Sequence, residues 1–301
     1  MNKIKVALIY NGKSGKGKIK ENLADVIEKL YLNNNKLELL VYNTQYSGHA
    51  TKIVEYMDSD IEYVVCCGGD GTLSEVQQGM IKLNSYKPIC YIPCGTVNDF
   101  ARSIEISNNM LDNIGNFKEM YVEDFDCGKI KIDNRDDSEK AFTYVVAFGL
   151  FTSASYSTPQ DIKNSLGKGA YVLEGLKELT NLKSHKVKIT LDNKEVIEDT
   201  FLIGCVSNSK SVGGIKLYNS EVDMSDGLFE VILLKDFINN KQNLSIPLEI
   251  YLDNLVIKRT ASNVKIESME NIDYTLDGEF GGSGKYIEID NLHKRLSILK
   301  N

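Results

Sequence analysis

The sequence predicts two domains, an open parallel α/β sheet followed by a domain made mostly of β-strands. The chain has 301 residues, which is enough for two hydrophobic cores. Up to about residue 125, short apolar runs alternate with apolar residues at helical spacing. After that point strand-like runs dominate. This change of pattern predicts an α/β domain followed by a β domain.

Strand and helix signals alternate in the first domain. Strand-like apolar runs lie at 4–10, 37–42, 61–67 and 89–92. Apolar residues at helical spacing lie between them, at 23–30, 50–57 and 72–83. Because parallel strands need a crossover connection, this alternation favours an open parallel sheet with helices on both faces.

The second domain contains many short strand signals and little helix. They lie at 127–133, 141–148, 186–191, 201–207, 228–234, 254–257, 263–267 and 286–289. One helix is expected around 170–182. Many short strands with few helices favour a sandwich-like arrangement.

Composition excludes several classes of protein. The formal net charge is −7, from 35 Lys and Arg against 42 Asp and Glu, which argues against a nucleic-acid partner. No stretch approaches the roughly 20 apolar residues of a membrane span, and the apolar run at 4–10 is too short for an export signal. The six cysteines are therefore expected to be reduced thiols in a cytoplasmic protein. The three histidines form no paired zinc motif.

Three glycine-bearing turns follow three predicted strands. They read NGKSGKGK at 11–18, GGDGT at 68–72 and PCGTVNDFARS at 93–103. The carboxyl ends of parallel strands form the ligand crevice of such sheets, so we expect the turns to meet there. Exposed backbone amides and helix N-termini favour phosphate as the ligand. Neither common nucleotide fingerprint is complete, and Ile19 replaces the hydroxyl of the G-x-x-x-x-G-K-[ST] motif.

Asp70 is an acid inside one of these phosphate-binding turns. A carboxylate there would repel a bare phosphate. Mg²⁺ between the two groups removes the conflict, because Mg²⁺ takes hard oxygen ligands and shares its shell with substrate phosphates. We therefore expect Asp70 to act through a metal ion, directly or through water.

Two acidic stretches stand out in the second domain. TLDGEFGG, at 275–282, places Asp277 and Glu279 around a glycine, and EVDMSDGLFEV, at 221–231, places Asp226 and Gly227 before an apolar strand. Each can be an ordinary polar turn, since Asp-Gly is a common turn pair. For the second stretch, spacing alone leaves a turn and a metal site equally open.

Taken in order, NGKSG, GGDGTLSEV, PCGTVNDFAR, DMSDGLFEV and LDGEFGG resemble the soluble bacterial diacylglycerol kinase and YegS-type lipid kinase family. That family lies in a superfamily with NAD kinases, phosphofructokinases and sphingosine kinases. The resemblance covers nearly the whole chain. GGDGT is shared across the superfamily, whereas the third turn and the final DGE are specific to the lipid kinases. Gly12 departs from the proline that is usual there.

The resemblance implies a Rossmann-like nucleotide-binding domain at 1–125, to which a C-terminal strand at 290–301 returns. It implies a β-sandwich lipid-substrate domain at 126–289, with the active site in the cleft between the two. The expected cofactors are ATP and Mg²⁺. The expected reaction is transfer of the γ-phosphate of ATP to diacylglycerol, giving phosphatidic acid.

The resemblance also implies roles for individual residues. Glu279 resembles the general base, with Asp277 beside it, and Asp70 and Asp99 would organise Mg²⁺ and phosphate. A structural Mg²⁺ would bind Asp226 and the backbone oxygens of Asp223 and Leu228. The ATP contacts implied are Asn11, Gly12, Lys13, Ser14, Gly15, Thr44, Gly69, Asp70, Gly71, Thr72, Leu73, Ser74, Glu75, Thr96 and Asn98.

Two alternatives stay open at this point. One is a kinase for another lipid alcohol, such as phosphatidylglycerol or a sphingoid base, and the other is a nucleotide-binding regulator without catalysis. NAD kinase is disfavoured by the DGE ending. The expected partners are ATP, a membrane lipid, the membrane surface and a second copy of the chain, with the protein bound peripherally at the inner face of the membrane. A basic, apolar segment at 163–186 is a candidate for docking there, or an ordinary amphipathic helix.

Overall fold

A computed structural model of the protein describes residues 3–135, 139–149, 183–212, 215–216, 222–236 and 255–301. The chain divides into two compact units. Unit 1 comprises Met1–Cys127 and His293–Asn301, and unit 2 comprises Gly128–Leu292. The helix predicted around 170–182, and the segment 163–186 except its last four residues, lie outside the described residues. In the described part, Lys183 pairs with Glu270 and Lys186 with Glu198.

Unit 1 is built on a parallel sheet with strand order β4-β3-β1-β2. Its elements are β1 (Ile4–Tyr10), α1 (Lys18–Asn33), β2 (Leu37–Asn43), α2 (His49–Tyr56), β3 (Tyr63–Gly68), α3 (Asp70–Lys82), β4 (Ile89–Pro93), α4 (Asp99–Ser103) and the first part of β5 (Tyr121–Ile132). Short 3₁₀ helices cover Ser14–Gly17 and Met110–Asn113. All three pairings are parallel, as the alternating pattern predicts.

The core of unit 1 explains why these segments take these forms. Strand β1 is buried along most of its length, which matches its unbroken apolar run. Helix α1 buries Ile19, Val26 and Leu30 on one face. Helix α3 begins at Asp70, two residues earlier than predicted, because the extended Gly69 serves as its N-cap.

The strands described in unit 2 pair mainly in an antiparallel manner. They are the end of β5, β6 (Lys140–Phe142), β7 (Val145–Gly149), β8 (His185–Leu191), β9 (Glu195–Ser207), β10 (Ser211–Val212), β11 (Ile215–Lys216), β12 (Phe229–Lys235), β13 (Val256–Ala261), β14 (Asn263–Leu276) and most of β15 (Glu279–Lys300). Strands β9 and β14 each pair with both β7 and β8. Apart from the β10–β11 pair, the described strands of this unit therefore join in one hydrogen-bonded sheet. A division into two packed sheets stays a prediction.

The longest hairpin of unit 2 joins β14 to β15 and is longer than predicted. Leu276 pairs with Glu279, so the loop consists of Asp277 and Gly278 alone. Both have positive φ, 49° and 85°, as a type I′ turn requires. Strand β15 then continues into unit 1, where Ile298 pairs with Ile89 of β4 in parallel. The separate strands predicted at 286–289 and 290–301 are thus parts of one strand, Glu279–Lys300.

All six cysteines are buried free thiols, as expected from the sequence. Burial raises the pKa of the Cys66 and Cys67 thiols well above their usual value and raises the pKa of Cys90, Cys94 and Cys205 to about 12. The folded state therefore holds these thiols neutral at pH 7.

We expect the native protein to react slowly with a thiol reagent at pH 8, whereas the denatured protein reacts at all six cysteines. The raised pKa values also predict that the free energy of unfolding falls between pH 9 and 12, because the unfolded thiols ionise first. Denaturant titration across this pH range measures the fall. Rapid labelling of several thiols in the native state would contradict the buried arrangement.

Candidate active site

The three glycine-bearing turns of unit 1 meet at the carboxyl edge of its sheet. The turns after β1 and β4 touch, since a Cβ atom on Gly15 would overlap the carbonyl oxygen of Cys94. The turns after β3 and β4 also touch, since a Cβ atom on Gly69 would lie 3.2 Å from the Cα atom of Gly95 and 3.4 Å from the Ser14 hydroxyl oxygen. Side chains at these positions would push the turns apart. Their glycines therefore create the close approach that the sequence predicts.

The turn after β1 is shaped by Asn11. Its side-chain oxygen accepts a hydrogen bond from the Lys13 amide at 3.0 Å, and its side-chain nitrogen lies 3.4 Å from the Thr72 hydroxyl. The Asn11 amide in turn donates to the Cys67 carbonyl at the end of β3. Gly15 has a φ of 52°, which favours glycine. Asn11 thus joins the first turn to the second.

Asp70 connects the second turn to the third. Its Oδ2 atom accepts a hydrogen bond from the backbone amide of Asp99 at 3.0 Å, and both residues are buried. They are the first residues of α3 and α4. The predicted pair of acids is thus brought together at the point where the turns converge. Sequence reasoning did not find this bond, because its two partners lie 29 positions apart.

The third turn holds its own shape through Asn98. The side chain of this buried residue accepts from the Gly95 amide and donates to the Gly95 carbonyl, both at 2.9 Å. Asn98 also has a left-handed backbone, with a φ of 54°. Its predicted ATP contact stays a prediction, and the structure gives its amide group a role in closing the turn. Thr96 is exposed at the tip of the same turn.

Glu75 binds the N-terminus of α2. Its carboxylate accepts hydrogen bonds from the amides of Gly48, at 2.6 Å, and Ala50, at 3.0 Å, while its backbone carbonyl accepts from the Thr51 hydroxyl. The structure thus uses this carboxylate to cap a helix, whereas the resemblance implies an ATP contact, which stays a prediction. Leu73 is fully buried in the core, so any contact it makes with a ligand must come from its backbone. Thr44 lies beside the first turn and donates its amide to the Tyr10 carbonyl.

In unit 2, Asp277 and Glu279 flank Gly278 in the hairpin turn but have different surroundings. The buried Asp277 carboxylate accepts hydrogen bonds from the amides of Thr143, Tyr144 and Val145, at 2.7 to 3.0 Å, and from the Thr143 hydroxyl. Glu279 is exposed. The Asp277 carboxylate therefore holds the turn in place, whereas the Glu279 carboxylate is accessible to solvent. The three amides were missed in the sequence, where nothing marks them.

The predicted metal-binding loop is linked to this hairpin through Asn208. The side-chain nitrogen of Asn208 donates to the Met224 carbonyl at 3.1 Å, and its amide donates to the Tyr144 carbonyl at 2.8 Å. Tyr144 in turn donates to Asp277. The stretch containing Asp226 and the stretch containing Glu279 therefore lie within one hydrogen-bonded network at one end of unit 2.

Within the loop, Asp223 Oδ1 accepts from the Ser225 amide and hydroxyl, and Asp226 Oδ1 accepts from the Leu228 amide at 2.9 Å. Both acids are exposed. Carboxylate and carbonyl oxygens are the ligands that Mg²⁺ prefers, and this loop contains both types. Among the described residues, no three acidic, histidine or cysteine side chains form a cluster. Backbone carbonyls and water would have to complete the shell.

A parallel sheet with glycine-bearing turns at its carboxyl edge is typical of nucleotide-binding α/β folds. At the level of fold, the chain is similar to an NAD kinase from Archaeoglobus fulgidus solved in complex with ATP. The TM-score is 0.51 at 14% identity, over 99% of this chain and 94% of the other. This likeness shows the fold alone.

More specific comparisons show which proteins the chain resembles. Residues 5–130 match the diacylglycerol kinase catalytic domain. The chain is 28% identical to a diacylglycerol kinase of Bacillus subtilis, over 97% of this chain and 95% of the relative, and 29% identical to one of Staphylococcus aureus strain MRSA252, over 91% and 86%. A solved putative diacylglycerol kinase from Bacillus anthracis has a TM-score of 0.74 at 26% identity, over 99% and 95%. The relation to the bacterial diacylglycerol kinase family, expected from the motifs, is confirmed.

These similarities support a lipid kinase. Among the residues that the structure describes, no helix is long and apolar enough to cross a membrane. The assignment of individual residues to ATP, metal and catalysis stays a prediction, as do the nucleotide-binding and lipid-binding roles of the two units.

Proposed function

We propose that the protein transfers the γ-phosphate of ATP to the hydroxyl of diacylglycerol and so forms phosphatidic acid. The observation that carries this proposal is the close contact of three glycine-bearing turns at one sheet edge, with the Asp70 carboxylate among them. Backbone amides at such an edge suit a polyphosphate. The names of the relatives favour diacylglycerol as the acceptor.

The turns of unit 1 would bind the phosphates through their amides and the hydroxyls of Ser14 and Thr96. Asp70 and Asp99 would hold Mg²⁺, because a buried acid beside phosphate needs a cation between them. When bound, that ion neutralises the charge that develops on the phosphate oxygens during transfer. The Asp99 amide fixes the Asp70 carboxylate at the convergence of the turns.

Glu279 would act as the general base. It accepts the proton of the lipid hydroxyl while that oxygen forms a bond to the γ-phosphorus, the bond to the β-phosphate oxygen breaks, and ADP leaves. Asp277 positions the turn that carries Glu279 and does not itself take the proton. The exposure of Glu279, against the burial of Asp277 among four donors, supports this division.

A lipid acceptor is also supported by the residue next to Glu279. Phe280 is 67% exposed, so the candidate base is followed directly by an apolar ring that contact with an acyl chain would shield from water. We expect Phe280→Ala to raise the KM for long-chain diacylglycerol and to leave the KM for ATP unchanged. The control is Met269→Ala, which removes another exposed apolar side chain, 89% exposed on β14. Equal changes in both variants would contradict a lipid contact by Phe280.

The proposed function is tested by incubating the purified protein with γ-labelled ATP, Mg²⁺ and a mixed lipid extract. Label in phosphatidic acid is the expected result. Label in a phosphorylated phosphatidylglycerol or sphingoid base would identify another lipid alcohol as the acceptor. Label in NADP, with NAD added, would overturn the lipid reading, and binding of ATP without any transfer would indicate a regulator.

The place of action is proposed as the inner face of the membrane, reached by peripheral binding. Co-sedimentation with anionic vesicles, weakened by added salt, is the expected behaviour of a protein held there by charge. A second copy of the chain is a further candidate partner, and sedimentation analysis measures whether the protein forms a dimer.

A further inference from the structure

A stacked pair of aromatic rings lies at the same edge of the sheet as the glycine-bearing turns. Tyr46 and His49 have ring centroids 4.6 Å apart and planes 19° apart. They belong to the connection from β2 to α2. Strand β2 runs parallel to β1 and its end, Asn43, pairs with Tyr10. The connection therefore leaves the sheet at the carboxyl edge, beside the first glycine turn.

The first turn adjoins the end of β2 directly. A Cβ atom on Gly12 would lie 3.4 Å from the side-chain oxygen of Asn43. Thr44 is the next residue after Asn43, and its amide donates a hydrogen bond to the Tyr10 carbonyl. A ligand whose phosphates occupy the first turn therefore has the connection from β2 to α2 as its neighbour on that side.

This connection is not suited to another phosphate. The N-terminus of α2 would otherwise attract an anion. The negatively charged carboxylate of Glu75 already accepts hydrogen bonds from the amides of Gly48 and Ala50 there. An uncharged part of a ligand fits this place better than a charged one.

The ring pair offers a planar surface held in position by the backbone. His49 Nδ1 accepts a hydrogen bond from the Gln45 amide at 3.0 Å, so the neutral ring carries its proton on Nε2. His49 lies in the first turn of α2 and supports Tyr46 by stacking. Tyr46 is 63% exposed. Nucleobases stack on such exposed aromatic rings.

We propose that Tyr46, supported by His49, is the stacking platform for the adenine base of the nucleotide. The inference rests on the proposed ATP-dependent function and adds a base-binding residue to it. The phosphates bind the glycine turns, and the base lies over the Tyr46 ring.

The test compares ATP with inorganic tripolyphosphate, which has the phosphates but no base. Binding of each to the full-length protein is measured by calorimetry with Mg²⁺ present. We expect Tyr46→Ala to raise the Kd for ATP about tenfold to a hundredfold, the usual loss when a base-stacking ring is removed. The Kd for tripolyphosphate stays unchanged, and Tyr46→Phe binds ATP like the wild type because the ring is kept.

The matched control is Tyr56→Ala, which removes another exposed tyrosine, 81% exposed at the last residue of α2. It should leave both constants unchanged. An unchanged Kd for ATP in Tyr46→Ala overturns the platform and leaves the kinase proposal intact. An equal loss for ATP and tripolyphosphate also overturns it, since the defect then lies in phosphate binding. A wild-type protein that binds no ATP overturns both proposals.

Discussion

Replacing Glu279 by glutamine is expected to lower turnover by about 100- to 10,000-fold, the usual contribution of a general base. Glutamine keeps the shape of the side chain and cannot take the proton of the acceptor hydroxyl. Glu279 is exposed in the hairpin turn, so the exchange leaves the core untouched. Turnover is measured with labelled ATP and the lipid that the protein phosphorylates.

The matched control for this variant is Glu267→Gln, which changes an exposed glutamate of β14 in an ion pair with Lys188. Exposed pairs of this kind contribute about 1 kcal/mol or less, so activity and stability should stay close to wild type. ATP should bind to Glu279→Gln as tightly as to the wild type, because the glycine-bearing turns of unit 1 are unchanged. Turnover within about threefold of the control, well short of a general-base effect, would remove Glu279 from the proposed mechanism.

Replacing Asp277 by alanine is expected to lower the free energy of unfolding by about 3–5 kcal/mol. The change leaves the buried amides of Thr143, Tyr144 and Val145 without their acceptor. Alanine is also strained at the positive φ of this position. Denaturant titration measures the loss, provided that the transition is two-state.

Two further variants separate the causes of that loss. Asp277→Asn keeps a residue that tolerates positive φ and one side-chain oxygen, so its loss should be intermediate. Asp273→Ala changes an exposed aspartate of β14, the strand that leads into the turn, and should be nearly neutral. If Asp277→Ala is no less stable than Asp273→Ala, then the bonds to Asp277 do not hold the turn. If Asp277→Asn has wild-type stability but no activity, then Asp277 has a chemical role as well as a positioning one.

The order of elements in unit 1 could be predicted because it depends on local patterns. Buried parallel strands appear as unbroken apolar runs, and the glycine turns follow them directly in the chain. The Asp-Gly turn before Glu279 is likewise local, since both residues have a positive φ. The length of β15 was missed because Ile298, near its end, pairs with Ile89 of β4, about 200 positions earlier in the sequence.

The sequence by itself determined which residues of this protein are chemically suited to phosphate, metal and proton transfer. Only the tertiary structure decided which of the acidic side chains accept hydrogen bonds from backbone amides and which stay exposed. Glu75 caps a helix 25 to 27 positions away, and Asp277 holds amides 132 to 134 positions away, while Glu279, two residues on, stays exposed. All three look alike in the sequence. A carboxylate's role depends on the donors around it, and folding brings those donors from distant segments whose backbone amides carry no mark in the sequence.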